Sequence, residues 1–293
     1  MSRRIGLRMA LAALTAIAVA VPTAAWAQPP VWVVRDKDSE LVLFGSVHIL
    51  PPGLDWEPPA LVRALAEADD LWFELPIDAA TEAETVQIAT QAGVLPPDQS
   101  LFKILPPTDG ERLMRVAAMY DVTPALLDRL QPWLAEIALA GGAYHKAGAD
   151  AASGVEKTIS AAARPQAERH ALETPAEQIG ILSQAPRNEQ IASLRQTMEE
   201  METKPDQFGS LVKAWIDGDM PALDREAISE MRKAAPTLFR TLVTDRNIRW
   251  TKMLDQRLKG HGHTVVVVGV GHLIGAGSVP ARLRALGYSV TGP

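Results

Sequence analysis

The sequence predicts an α/β (α+β) fold in which a central mixed β-sheet is built from strands at both ends of the chain. Two strand-rich segments predict the sheet, one over residues 31–75 and the other over residues 264–290. Between them, over residues 79–260, apolar residues recur at three- and four-residue spacing, which is typical of amphipathic helices. We therefore expect a single domain over residues 28–293, with residues 79–260 as a mainly helical insertion packed around the sheet.

The first strand-rich segment begins with a predicted β-hairpin. Residues 31–34 and 41–45 are apolar and rich in β-branched side chains, and the charged residues 35–40 between them predict the turn. A loop rich in proline and glycine follows, and Pro59 then suits the first turn of a helix. The stretch "LWFEL" predicts a buried strand that ends at Glu74.

The second strand-rich segment repeats this plan at the far end of the chain. Its stretch "TVVVVG" is a continuous apolar run, which favours a strand buried on both faces, as in a parallel sheet. A Gly-x-x-His motif follows each of the two apolar strands, as Gly45-x-x-His48 and as Gly269-x-x-His272. Both ends of the chain therefore encode a strand, this motif, a loop, a proline-led helix and a further strand.

The two motifs predict one site that contains two imidazoles. Parallel strands bring the residues at their carboxyl ends to a shared crevice, where open α/β sheets bind ligands. A glycine after a strand permits a sharp turn or the close approach of a ligand, which suits Gly45 and Gly269. If the two strands are neighbours, His48 and His272 face one pocket; two ordinary loop histidines are the alternative.

Three glutamates lie at predicted strand or helix ends. Glu74 is flanked by apolar residues, where a charge needs a partner or a ligand, so it suits a metal ligand or a general base, with a salt-bridged residue as the alternative. Glu173 ends another predicted strand, in "ERHALET", and either supports the site or belongs to the start of the next helix. Glu156 begins a helix and is interpreted as structural.

The stretch "DRNIRW" places Arg246 and Asn247 on one helix. An arginine on a buried helix face needs an acidic partner, which Glu74 or Glu173 would supply. Stabilisation of an oxyanion is an equal alternative for Arg246. We expect Asn247 to support these groups or to contact the substrate.

Composition excludes several classes of function. The 293-residue chain contains no cysteine, which excludes a disulfide scaffold, a cysteine nucleophile and a thiolate metal site. Its formal net charge of −6 argues against a nucleic-acid partner. Any bound metal must therefore be held by histidine, carboxylate and water.

Residues 1–27 are predicted to be a cleavable signal peptide. Three arginines precede an apolar stretch, and "AWA" at residues 25–27 fits a small-x-small cleavage site. Cleavage after Ala27 removes these three arginines and no acid, so the net charge changes from −6 to −9. An uncleaved membrane anchor is the alternative, and Sec and twin-arginine export both stay open. We expect a periplasmic or secreted product, because no later apolar run reaches the roughly 20 residues of a membrane span.

The chain resembles the TraB/GumN family, which is related to the Tiki metalloproteases and, more distantly, to erythromycin esterases and ChaN-type haem-binding lipoproteins. The resemblance covers essentially the whole mature chain. It rests on stretches that include "LFGSVHILP", "LWFELP", "QPWLAE", "GVEKTI", "ALETPAEQI", "RNIRW" and "VVVGVGHLIGAGSVPARLRALGYSV".

The resemblance implies a metal-dependent peptidase. In Tiki-like members, two Gly-x-x-His motifs and a strand-end glutamate are associated with peptide hydrolysis that depends on a divalent metal. The resemblance therefore implies that His48, Glu74 and His272 bind a divalent ion such as Mn, Zn or Co, and that Arg246 is the family arginine. Two histidines and one carboxylate are an established catalytic zinc site, in which the pKa of the bound water falls to about 7.

Two other functions stay open. In the esterase branch, similar residues are associated with water activation without a firmly bound metal, which implies His48 as the general base with Glu74 orienting it. The third possibility is a non-catalytic periplasmic binder of haem, metal or a polysaccharide-related ligand. As an enzyme, the chain is expected to act on a peptide or a small-molecule substrate. The sequence predicts no oligomeric state.

Overall fold

The computed structural model describes residues 28–293, so the predicted signal peptide at residues 1–27 lies outside the described residues. Six strands form one sheet. They are β1 (Val31–Arg35), β2 (Ser39–Ser46), β3 (Asp70–Phe73), β4 (Glu168–Ala171), β5 (Gly262–Gly269) and β6 (Ser289–Thr291).

The sheet is mixed, with the strand order β4-β3-β5-β2-β1-β6. β4, β3, β5 and β2 are parallel to one another, whereas β1 pairs antiparallel with β2 and β6 pairs antiparallel with β1. The predicted hairpin is confirmed, because Val34 of β1 lies opposite Leu41 of β2. The mixed sheet and the abundant helices confirm the predicted fold class.

Fifteen α-helices surround the sheet in the described part of the chain. They are α1 (Pro59–Glu67), α2 (Ala79–Gly93), α3 (Leu101–Ile104), α4 (Pro107–Met119), α5 (Pro124–Leu127), α6 (Pro132–Lys146), α7 (Val155–Ala162), α8 (Pro175–Ser183), α9 (Arg187–Thr203), α10 (Gln207–Asp217), α11 (Met220–Asp224), α12 (Glu230–Ala234), α13 (Pro236–Phe239), α14 (Asp245–Leu258) and α15 (Val279–Ala285). Wider π-helical turns occupy Arg225–Ser229 and Arg240–Thr244. No helix within residues 28–293 combines the length and apolar character that crossing a membrane requires.

The two strand-rich ends of the chain form a common core. The four valines at positions 265–268 in β5 are at most 1% exposed, because β5 lies between β3 and β2 and is covered on both faces. Trp56 and Trp215 pack against Phe44 of β2, with ring centroids 5.6 and 6.0 Å away. Burying side chains of this size stabilises the fold by roughly 1.5–3 kcal/mol each.

The helical insertion has a second core of its own. Leu113 and Val116 of α4, Leu139 of α6, and Leu194 and Met198 of α9 are fully buried against one another. These side chains recur at three- and four-residue spacing along their helices, as the sequence pattern predicts. The insertion therefore packs as a helical layer rather than as loops laid over the sheet.

Candidate active site

The predicted site residues follow neighbouring parallel strands. β2 ends at Ser46 directly opposite Gly269 at the end of β5, which confirms that the two motif-bearing strands are neighbours. Glu74 follows β3, which pairs with the other side of β5, and Glu173 follows β4. Because all four strands run in the same direction, these residues meet at one edge of the sheet.

Gly269 marks the point where the two histidines and Glu74 approach one another. A side-chain carbon at Gly269 would lie 3.3 Å from Oε1 of Glu74 and 3.8 Å from both Nε2 of His48 and Cδ2 of His272. Its φ of −49° is ordinary, so the glycine is needed for space and not for conformation. We call the place where these three side chains approach Gly269 the Gly269 recess.

Gly45 has a different role, although it holds the same place in its motif. A side-chain carbon there would lie 2.9 Å from Cγ2 and 3.0 Å from Cα of Val270. The carbonyl of Gly45 accepts a hydrogen bond of 2.8 Å from the Trp215 indole. Gly45 therefore lets the segment after β5 pass directly over the end of β2.

Glu74 is a buried carboxylate held between positive charges. Its Oε2 accepts hydrogen bonds from Arg246 at 2.6 Å and from Gln178 at 3.2 Å, and its Oε1 accepts from the backbone N–H of Gly269 at 2.7 Å. Burial raises the pKa of Glu74, but Arg246, the two site histidines and the Gly269 N–H together outweigh it and bring the pKa to about 2. Glu74 is therefore ionised at neutral pH.

Arg246 lies at the centre of the buried cluster. Its Nε donates to Glu173 at 2.9 Å, and its Nη2 donates to Glu74 at 2.6 Å and is ion-paired with Glu173 at 2.9 Å. Its Nη1 donates to the Leu242 carbonyl at 3.1 Å and to Nε2 of His272 at 3.0 Å. All three nitrogens of the guanidinium therefore donate hydrogen bonds within the cluster. Of the two roles predicted for Arg246, the arrangement favours the ion-paired partner of Glu74 and Glu173 over an oxyanion donor.

His272 is buried and neutral. Because a guanidinium can only donate, Nε2 of His272 accepts from Arg246, and the ring proton is then on Nδ1, 2.7 Å from Oδ1 of Asn247. The Asn247 amide nitrogen donates to the Gly277 carbonyl at 3.0 Å, which fixes the orientation of that amide. Burial is the main cause that lowers the pKa of His272 to about 3.

His48 has the opposite environment. Its side chain is 65% exposed, and its Nδ1 lies 2.6 Å from Oε1 of Glu156. The charge of Glu156 is the main cause that raises the pKa of His48 to about 9. Its hydrogen bond and the charge of Glu74 add to the shift, whereas partial desolvation of the ring and the charge of Arg246 oppose it. Nε2 of His48 has no hydrogen-bond partner among the described residues and borders the Gly269 recess.

Glu156, which the sequence pattern indicates to be structural, is a further candidate site residue because of its contact with His48. It lies in the first turn of α7, and its Oε1 also accepts from the Ser46 hydroxyl at 2.6 Å. α7 can approach this closely because Gly154 has no side chain: a carbon there would lie 2.1 Å from the His48 carbonyl oxygen. The glycine directly before an acidic first turn, in "SGVEK", was the available signal.

Comparison with known protein families identifies the family of this chain. A profile of the TraB/PrgY/gumN family matches residues 30–292. The chain belongs to the TraB/PrgY/gumN family. The matched range contains every predicted site residue, and the resemblance inferred from the sequence is confirmed.

Two curated relatives share most of the length of this TraB/PrgY/gumN-family chain. The chain is 25% identical over 243 residues to "Uncharacterized protein YbaP" of Escherichia coli (strain K12), which covers 83% of this chain and 87% of that protein. The same identity and coverage hold for "Uncharacterized protein YbaP" of Shigella flexneri. No solved structure matches the chain.

The metal site implied by the family resemblance does not fit the arrangement of its three predicted ligands. Nε2 of His272 is occupied as an acceptor from Arg246, and Oε2 of Glu74 is ion-paired with the same guanidinium. Only Nε2 of His48 and Oε1 of Glu74 remain to face the Gly269 recess. Within residues 28–293, no group of three or more histidine, aspartate and glutamate side chains is arranged to hold a metal ion. Metal binding stays a prediction.

Proposed function

We propose that this TraB/PrgY/gumN-family chain is an exported hydrolase that cleaves an ester or amide bond of a small-molecule or peptide substrate, with His48 activating the attacking water. One observation carries the proposal. Glu156 fixes one nitrogen of His48, and the other nitrogen has no partner among residues 28–293 and lies beside the Gly269 recess. An accessible imidazole oriented by a carboxylate is a suitable general base.

The hydrogen bond to Glu156 sets the chemistry of His48. When Nδ1–H donates to Glu156, the lone pair of deprotonated His48 is on Nε2 and points to where water can bind. Nε2 takes a proton as the water oxygen bonds to the substrate carbonyl carbon. The resulting imidazolium is stabilised by Glu156, and it returns the proton to the alcohol or amine that leaves.

Glu74 supports this chemistry without transferring a proton. Its pKa of about 2 makes it too weak a base for the attacking water. Its fixed negative charge also faces the Gly269 recess and favours the imidazolium form of His48. The residue that orients His48 is therefore Glu156, in place of Glu74 as the esterase alternative assumed.

A metal-dependent peptidase is the second candidate. A histidine whose Nδ1–H donates to a carboxylate is also the usual arrangement of metal-binding histidines, which is the observation that favours it. In this candidate, His48 and Glu74 would hold the ion. His272 would join them as a third ligand only if Arg246 no longer donated to its Nε2.

A substrate screen tests the proposal. The chain that begins at Gln28 would be assayed against a panel of nitrophenyl esters and fluorogenic peptides, beside His48→Gln and the control His261→Gln, whose side chain is exposed directly before β5. We expect turnover that falls about 10²–10⁴-fold in His48→Gln and is unchanged in the control. Turnover abolished by a chelator and restored by Mn, Zn or Co would support the second candidate. No turnover of any substrate would contradict both.

A further inference from the structure

A cavity of about 340 Å³ lies within the helical insertion. It is bordered mainly by α6, α9 and α10, and none of His48, Glu74, Arg246 and His272 lines it. Its volume is in the range of pockets that bind small organic molecules. The cavity is therefore a candidate ligand site separate from the Gly269 recess.

Apolar side chains form most of the cavity wall. Ile137 and Ala140 of α6, Phe208 of α10, Leu182 of α8 and Leu242 contribute to it. The Phe208 ring also packs against the Tyr144 ring, with centroids 4.9 Å apart. Walls of this kind suit an apolar ligand body.

Two buried polar atoms at the cavity lack partners. Trp133 and Gln190 line the cavity and are 3% and 6% exposed, and neither Nε1 of Trp133 nor Oε1 of Gln190 has a hydrogen-bond partner among the described residues. The amide nitrogen of Gln190 already donates to the Ala185 carbonyl at 2.8 Å, so the oxygen is the end that stays free. Native proteins seldom leave such atoms unpaired, and a ligand that donates a hydrogen bond would satisfy the Gln190 oxygen.

Glu136 adds an incompletely paired carboxylate to the same wall. The hydroxyls of Ser193 and Thr197 donate to its Oε1 at 2.9 and 2.8 Å, whereas Oε2 has no hydrogen bond among residues 28–293. Burial raises the pKa of Glu136 to about 7, and the negative charge of Glu200 adds to the shift. No ion pair with a lysine or arginine of the described residues neutralises this carboxylate.

We propose that this cavity binds a small apolar molecule that carries a protonated amine. The ammonium group would donate to Oε2 of Glu136 and to Oε1 of Gln190, while the apolar body packs against the wall. A cation is favoured over a neutral ligand because the two groups assigned to the ammonium, Oε2 of Glu136 and Oε1 of Gln190, are both acceptors. Three further acids, Glu200, Asp206 and Glu226, line the cavity, together with one lysine, Lys204.

Calorimetric titration tests the proposal with 2-phenylethylamine and its uncharged analogue 2-phenylethanol at pH 7.5. We expect the wild-type chain to bind the amine at least tenfold more tightly than the alcohol. Glu136→Gln keeps the size of the side chain, and we expect it to lose at least tenfold in amine affinity. Glu84→Gln removes the same charge from an exposed position on α2 and serves as the matched control.

A second variant locates the ligand. Ala140→Phe would place a ring inside the cavity, so we expect it to abolish amine binding while the protein keeps its thermal transition. Equal affinities for amine and alcohol, an unchanged amine affinity in Glu136→Gln or Ala140→Phe, or no binding of the amine to the wild-type chain would each overturn the proposal. The readout is binding, so the result does not depend on whether the chain is a hydrolase.

Discussion

Nδ1 of His48 lies 2.6 Å from Oε1 of Glu156, although the two residues are 108 positions apart in the chain. The contact joins the loop after β2 to the first turn of α7, and the Ser46 hydroxyl binds the same carboxylate oxygen. It fixes the tautomer of His48 and leaves Nε2 beside the Gly269 recess. The proposed chemistry depends on this pair.

The pair predicts an alkaline pH profile. Because the pKa of His48 is raised to about 9, its basic form increases as pH rises, and kcat/KM should rise through a midpoint near pH 9. Glu156→Gln removes the charge that causes most of this shift, so the midpoint should move toward the ordinary histidine value of about 6.5. The measurement is kcat/KM against pH for both proteins; the same midpoint in both would count against the assignment.

The pair also predicts a pH-dependent contribution to stability. A raised pKa in the folded state means that the contribution is fully present below about pH 6.5 and is lost as pH rises through about 9. The difference in melting temperature between the wild-type chain and His48→Gln should therefore shrink between pH 6 and pH 10. A difference that stays constant over this range would argue against a charged pair.

Removal of Arg246 should be strongly destabilising. Arg246→Met leaves Glu74 and Glu173 buried without their shared cation, and breaking a buried ion pair in this way costs about 3–5 kcal/mol. Arg249 also pairs with Glu173, but its side chain is 47% exposed, so Arg249→Met should cost less than about 1 kcal/mol. Urea unfolding of the two variants measures both values. Similar losses of unfolding free energy in the two variants would show that the buried ion pairs contribute no more to stability than the exposed one.

Gly269→Ala should lower activity more than it lowers stability. The ordinary φ of Gly269 accepts alanine, and the added methyl would stand 3.3 Å from Oε1 of Glu74 and 3.8 Å from Nε2 of His48, inside the Gly269 recess. We expect a loss of at least tenfold in kcat/KM, and a smaller loss of unfolding free energy than in Gly45→Ala. Gly141→Ala is the control, since nothing lies within 4 Å of the added carbon. Full activity in Gly269→Ala would mean that the reaction does not use the recess.

Gly45→Ala should have the reverse effect. Its methyl would meet Cα of Val270 at 3.0 Å, and backbone cannot move aside as a flexible side chain can. Overpacking of this kind costs about 1–3 kcal/mol. We expect a lower urea midpoint for Gly45→Ala than for Gly269→Ala, and an inverted order would contradict the distinction between the two motif glycines.

The sequence predicted the features that depend on local pattern or on strand direction. Continuous apolar residues identified β5, and the position of each histidine after an apolar strand predicted that His48 and His272 would meet. Parallel strands end at the same edge of a sheet, so this inference needed no long-range information. Glu74 and Glu173 were found in the same way, because each follows a strand.

The sequence did not predict contacts that depend on how separate elements pack. Glu156 reaches His48 only because α7 packs against the loop after β2, and nothing in the sequence near His48 indicates this register. The two motif glycines look alike in sequence, yet Gly45 packs against Val270 and Gly269 lies against Glu74 and the two site histidines. The sequence also left open whether Glu74 or Glu173 pairs with Arg246. The contacts of this arginine come from three separate segments of the chain, and their packing decides the pairing.

The most direct test of the central claim is the rate of hydrolysis by chelator-treated protein, compared between the wild-type chain and His48→Gln on the best substrate of the screen. If His48 is the general base, the chelated wild-type chain stays active and His48→Gln loses at least about 100-fold in kcat/KM. Undiminished turnover by His48→Gln, or loss of wild-type turnover on chelation alone, would contradict it.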